Sequence, residues 1–136
     1  MRFIKKGCRK HSVGTLWKYV AQSICGVTPV GASSGFNLYS PTFVRGLRKE
    51  ELPQMAKAYG QSVNWAREAG FDAVEIHAGH GYLISQFLSP YTNHRKDEFG
   101  GSLENRMRFM DMVMEEVMRA AGNDMAVLVK PICVTV

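Results

Sequence analysis

The stretch from Glu75 to Phe109, EIHAGHGYLISQFLSPYTNHRKDEFGGSLENRMRF, holds three of the chain's four histidines. It opens where a short apolar run, DAVEIH (residues 72–77), stops, and it closes inside a charged, helix-forming run. The apolar run reads as a buried strand, and the later run MAVLVK, ending at Lys130, reads as another. Between them SLENRMRFMDMVMEEVMRAAGN has helical periodicity: Met107, Met110, Met114, Val117 and Ala121 share a stripe, Ser102 is placed to cap the start and Gly122 follows the end. The 25 residues from Ala78 to Ser102 far exceed the ~2–6 of a routine connection in such units. They are expected to build an active-site loop, with a short helix across LISQFL.

Working outward, Leu52, Met55, Ala56, Tyr59, Val63 and Ala66 recur at offsets of three, four and seven. That spacing predicts a helix from about Glu50 to Ala69, with Gly70 as its C-terminal cap. Helix, strand, loop, helix, strand is the pattern of a parallel α/β protein with right-handed crossover helices. The two strands are expected side by side, so that His77 and Lys130 both emerge at the carboxyl edge, where α/β folds place their sites.

Composition narrows the class. The chain has 136 residues, 46% of them hydrophobic and 21% charged, as in an ordinary globular domain. No window approaches the ~20 apolar residues of a spanning helix, so a membrane role is not expected. Cys8, Cys25 and Cys133 are widely spaced with no C-x-x-C pair; they encode neither a disulfide framework nor a zinc ribbon, and a cytoplasmic location is the expectation. The net charge of +5 is unevenly spread: residues 1–49 carry nine Lys/Arg and no acid, residues 50–136 carry eight Lys/Arg and twelve Asp/Glu, so the two parts stand at +9 and −4. The basic leader is open to reading as a nucleic-acid arm or a targeting peptide, but a solvated, ill-defined N-terminal segment over 1–49 is the expectation, with no nucleic-acid partner. A block rich in Gly, Ser and Pro, GVTPVGASSGFNLYSPTF (residues 26–43), reads as loop and separates it from the orderly part over 50–136.

Within the long loop each residue has an ordinary structural reading. His77 and His80 form H-x-x-H, but a metal site wants a third protein ligand, and Glu75, His94 and Asp97 offer no recognised pattern. No metal is expected, and a metal-dependent hydrolase is the weakest reading. Paired histidines satisfied by backbone carbonyls, a solvated NHRKDEFGG turn and a methionine-rich helix face packed into the core would account for these residues singly.

Together and in this order they resemble the old yellow enzyme family of FMN-dependent NAD(P)H:flavin oxidoreductases, above all its bacterial branch related to 2,4-dienoyl-CoA reductase and the clostridial enoate reductases. The H-x-x-H-G-Y-L, F-L-S-P, N-x-R-x-D and G-G-S-x-E-N-R-x-R-F pieces stand at the family's spacing, and the likeness runs from about Glu50 to Lys130. The resemblance implies an eight-stranded (β/α) barrel with FMN at its carboxyl-end mouth, NAD(P)H as reductant, and a small α,β-unsaturated carbonyl substrate whose C=C bond is reduced in ping-pong fashion. His77 and His80 match the pair that grips the substrate carbonyl, an oxyanion-hole role. Tyr82 matches the proton donor to the α-carbon, and a phenol can serve as a general acid at neutral pH. Lys130 falls where the family carries a basic residue beside the flavin ring, and Gln22 is the candidate for the family's flavin-contacting glutamine.

A complete barrel needs ~200–250 residues and holds phosphate after its last two strands. Neither VAQSICGVTPVG nor PICVTV continues the family pattern, so the expectation is a partial (β/α)8 barrel. Two function classes follow: an ene-reductase of the old yellow enzyme type, or a non-catalytic barrel fragment stable only as an oligomer or with a complementing chain.

Overall fold

The computed structural model describes residues 2–4, 11–12, 28–37 and 42–131. Its centre is a strand, β6 (Ala73–Ala78), paired in parallel with β7 (Ala126–Pro131), in the register Ala73↔Ala126 through Ala78↔Pro131. Two helices cover one side: α1 (Leu52–Glu68), entered through a 3-10 turn at Lys49–Glu51, and α3 (Leu103–Ala121), which joins the strands as the expected crossover. A short α2 (Leu83–Leu88) lies in the long loop, over LISQFL as anticipated. The α1 boundaries, its Gly70 cap at φ +74 and the Ser102 cap, whose hydroxyl accepts from Asn105 N at 3.3 Å, follow the pattern read from the sequence.

The core forms where these faces meet. Leu52, Ala56, Tyr59, Val63 and Ala66 of α1 are buried with Val74, Ile76 and Ala78 of β6 and Phe109, Val113, Val117 and Ala121 of α3. The α3 stripe therefore differs from the methionine stripe expected: Phe109 and Val113 occupy the centre, Met110 and Met114 are partly buried beside it, and Met107 is exposed. An offset of one position along a helix turns a side chain by ~100°, so a methionine-rich run offers several nearly equivalent stripes, and stiffer Phe and Val take the centre. Helix α1 approaches α3 so closely at Gly60 that a β-carbon there would stand 2.9 Å from the Glu116 carbonyl oxygen.

Two features lie outside the parallel α/β pattern. The block read as loop carries a small sheet of β3 (Val30–Gly31), β4 (Gly35–Asn37) and β5 (Thr42–Gly46), in the order β3-β5-β4. In β5, Thr42 and Val44 are buried while Phe43 and Arg45 are exposed, the two-residue alternation of a half-buried strand. Strand β1 (Arg2–Ile4) lies antiparallel on the free edge of β6 and carries β2 (His11–Ser12) outside it. The strand order β2-β1-β6-β7 makes an open sheet, with β6 and β7 as its parallel pair. Among the described residues no helix is long and apolar enough to cross a membrane.

Candidate active site

Alternation along β6 directs Val74, Ile76 and Ala78 into the helix-packed core and leaves Glu75 and His77 on the opposite face. Lys130 is the register partner of His77 on β7, so both side chains leave the same face at the carboxyl edge. The chain then turns sharply through Gly79, His80 and Gly81. His80 sits at φ +53, the one non-glycine with positive φ among the described residues, and Gly81 follows at +74. For a residue with a β-carbon that conformation costs about 1–2 kcal/mol, a cost that surrounding contacts must offset.

The turn swings His80 back over His77: His80 Nδ1 and His77 Nε2 share a hydrogen bond of 2.9 Å, with ring centroids 4.8 Å apart. Tyr82, at the N-cap of α2, brings its ring centroid within 4.6 Å of that of His77. Three side chains predicted from sequence thus converge at one point, with Lys130 in register beside them. His77 Nδ1 is buried with no hydrogen-bond partner among the described residues. Burial pushes the His77 pKa below the ordinary histidine value of 6.5; the Lys130 backbone acts the other way, and the charges of His80 and Lys130 lower it further. A histidine held neutral in this way donates from one ring nitrogen and accepts at the other. Gln22 lies outside the described residues. No group of three or more His, Cys, Asp or Glu among the described residues is arranged to hold a metal ion.

The rest of the loop is scaffolding. Asn93, buried, donates from Nδ2 to the Phe87 and Phe99 carbonyls, both at 2.7 Å. Arg95 makes a forked pair with Asp97 at 2.9 and 2.6 Å, also reaches the carbonyl oxygens of Ala32 and Leu47, and lies over the rings of Phe87 and Phe99. That guanidinium holds the Asp97 carboxyl below the usual range. A β-carbon at Gly100 would stand 2.3 Å from the Arg95 carbonyl oxygen, so only glycine fits. Arg106 donates to the Leu88 carbonyl at 2.7 Å and to that of Gly101. The N-x-R-x-D and G-G-S-x-E-N-R pieces therefore shape the loop that carries the site. Arg95 is the arginine of the N-x-R-x-D piece read from the sequence, whereas Gln86 was not singled out; a polar residue on a short apolar helix was the available signal.

The family model of the NADH:flavin oxidoreductase / NADH oxidase family matches residues 12–132. The chain belongs to that family. Among curated relatives, cinnamate reductase of Clostridium sporogenes is 51% identical over 84 residues, 61% of this chain and 13% of that protein. NADPH dehydrogenase of Clostridium acetobutylicum is 41% identical over 113 residues, 83% of this chain and 32% of that protein. The solved old yellow enzyme homologue from Zymomonas mobilis superposes with a TM-score of 0.73 at 36% identity, covering 82% of this chain and 34% of its own. Morphinone reductase in complex with tetrahydroNAD superposes at 0.70 and 32% identity. The chain thus spans about a third or less of the relatives it matches. The family uses FMN and NAD(P)H, and the parallel β6–β7 pair with its crossover helix is a portion of the barrel of its old yellow enzyme neighbours. The residues present fit the ring end of such a flavin: a cation, Lys130, stands in register with His77, whose buried Nδ1 has no partner among the described residues.

Proposed function

We propose that this chain supplies the substrate-gripping and proton-donating part of an FMN-dependent ene-reductase acting on small α,β-unsaturated carbonyl compounds. The observation that carries the reading is the convergence of His77, His80 and Tyr82 at the carboxyl end of β6, with Lys130 beside them. The hydride chemistry, from NAD(P)H to the β-carbon of the alkene, would be supplied by FMN when bound. His77 and His80 give up the hydrogen bond they share and each turns a ring N–H to the carbonyl oxygen, stabilising the negative charge that gathers there. Tyr82 gives its hydroxyl proton to the α-carbon, so alkene, hydride and proton sum to the saturated carbonyl compound. Lys130 would hold the pyrimidine end of the ring, and Gln22 is the second residue assigned to it. The reading also takes residues 1–49 as a basic segment and 50–136 as the barrel piece, and places the protein in the cytoplasm; the cysteine spacing supports the last point.

A second reading has its own support. Strand β7 has a partner on one edge only among the described residues, and Leu128 and Val129 are 43% and 37% exposed. A parallel strand is ordinarily covered on both faces, so the site is expected to become competent only when further strands, from a complementing polypeptide or another copy, cover β7. The test is to produce the chain alone and together with a polypeptide carrying the remaining two-thirds of the Clostridium acetobutylicum relative. The pair is expected to be yellow, absorbing between ~350 and 500 nm, and to oxidise NAD(P)H in the presence of an enone. Tyr82→Phe should slow enone reduction ~10²- to 10⁴-fold while leaving NAD(P)H oxidation by oxygen intact. Unchanged enone turnover in Tyr82→Phe would remove the proton-donor role.

A further inference from the structure

We infer that the cavity between the small β3-β5-β4 sheet and the segment after α2 is a second ligand site, suited to a small aromatic carboxylate. It measures about 490 Å³, within the range of small-molecule pockets. Ser33, Ser34 and Phe36 line it from the small sheet and its first connection, and Gln86, Tyr91 and His94 line it from α2 and the residues beyond. His77, His80, Tyr82 and Lys130 are all absent from the lining, so the cavity is separate from the proposed reducing site. Gln86 borders both places: it lines the cavity, and its Nε2 donates to the Gly81 carbonyl, next to His80, at 2.7 Å.

The ligand class follows from what the lining offers. Phe36 and Tyr91 are 52% and 87% exposed, and both face this one concavity. A single exposed aromatic side chain is ordinary, but two at one cavity supply the ring surface that a flat ring covers. Phe36 is braced edge-on by Phe43, with centroids 5.2 Å apart, and Tyr91 stands on a turn whose Ser89 carbonyl accepts from Thr92 N and Asn93 N. The polar part consists of donors. Ser33 Oγ accepts from the His94 N–H at 2.9 Å, and Ser34 Oγ accepts from the Gly46 N–H at 2.8 Å. A hydroxyl held through its oxygen keeps its hydrogen to donate, and neither hydrogen has an acceptor among the described residues. His94 is exposed and carries a ring N–H in either tautomer. No Asp or Glu lines the cavity, and half of its lining comes from residues 1–49, which hold nine Lys/Arg and no acid. Donors with no carboxylate among them favour an acceptor that bears negative charge. A ring joined to a carboxylate meets both demands, and the inference stands whether or not the ene-reductase reading holds.

The experiment is a titration of the full chain with biphenyl-4-carboxylate, followed through the ¹H–¹³C ring signals of Phe36, Tyr91 and His94. Saturable shifts are expected at these rings, with a Kd of about 1 mM or tighter. Biphenyl-4-carboxamide, which keeps the shape and loses the charge, should bind at least about fivefold more weakly, and acetate should give no saturable shift. Phe36→Ala and Tyr91→Ala should each weaken the carboxylate roughly fivefold, the worth of one ring contact. His94→Ala should narrow the difference between acid and amide. These side chains are exposed, so the substitutions leave the core untouched. His77→Ala should leave the affinity as it was. The chain paired with its complementing polypeptide should bind the probe equally well, and a cavity that the added polypeptide fills would show no binding and overturn the site. So would an unaltered chain without saturable shifts, an affinity indifferent to both ring truncations, equal binding of the amide, or loss of binding in His77→Ala.

Discussion

His77 is half-buried, with its Nδ1 shielded from solvent, and two outcomes follow from that. Its folded pKa is depressed below 6.5 by burial, so the unfolded chain binds the extra proton first as pH falls. The stability it contributes is present above pH ~6.5 and is lost as pH falls below that through the folded value. Denaturant unfolding followed from pH 7.5 to 5 should show a falling midpoint, and His77→Phe should flatten that dependence. A slope unchanged by the substitution would place the acid sensitivity elsewhere. In the flavin-loaded, complemented protein His77→Ala should weaken phenol binding by ~1–3 kcal/mol, or roughly 5- to 150-fold, because one donor to the ligand oxygen is gone. A titration followed by flavin absorbance reads that change.

The elements are joined by close contacts that tolerate little. Gly60 lets α1 and α3 touch, and a methyl group there would press on the Glu116 backbone at 2.9 Å, where no flexible side chain can yield. Gly60→Ala gains up to ~1 kcal/mol of helix propensity, but overpacking at a helix crossing costs ~1–3 kcal/mol. The net expectation is a lower denaturation midpoint; a rise would mean that the helices separate freely. Arg95 joins the segment before α1 to the loop before α3 through Ala32, Leu47 and Asp97, with its side chain only 10% exposed. Arg95→Ala leaves two carbonyls and a carboxylate without their donor, a loss of ~3 kcal/mol. Arg95→Lys should recover only part of it, since an ammonium cannot reproduce the planar fork. Urea unfolding of the two variants measures both effects.

For the whole molecule, the decisive feature is β7, which among the described residues has a partner on one edge only. FMN phosphate in (β/α)8 barrels is held by the loops after the last two strands, through charge-assisted bonds worth ~1.5–3 kcal/mol each. The ring contacts that β6, β7 and the intervening loop can supply leave that part out, and each ~1.4 kcal/mol is tenfold in affinity. The 136-residue chain by itself is therefore expected to be colourless after gel filtration and to show no NAD(P)H oxidation with an enone. A yellow chain with stoichiometric FMN and measurable turnover would overturn that expectation and assign the missing contacts to self-association or to residues 1–49.

Much of this was legible in the amino-acid order because it depends on neighbours along the chain. The stripe of Leu52, Ala56, Tyr59, Val63 and Ala66, the capping by Gly70 and Ser102, and the strand ending at His77 rest on periodicity and local backbone preference, and they stand where the sequence put them. The H-x-x-H-G-Y spacing likewise foretold that three rings lie together, since a strand end followed by a three-residue turn brings them close locally. What the tertiary structure decided involves partners distant in sequence. The α3 face turned to Phe109 and Val113 because it packs on α1 and α2, an outcome the many methionines left open. The described part of the Gly, Ser and Pro block carries strands, and Arg95 and Gln86, more than fifty residues later, supply a donor and an acceptor to its backbone at Ala32. No local pattern encodes those bonds: each half is an ordinary polar residue until the chain folds back and removes water from both.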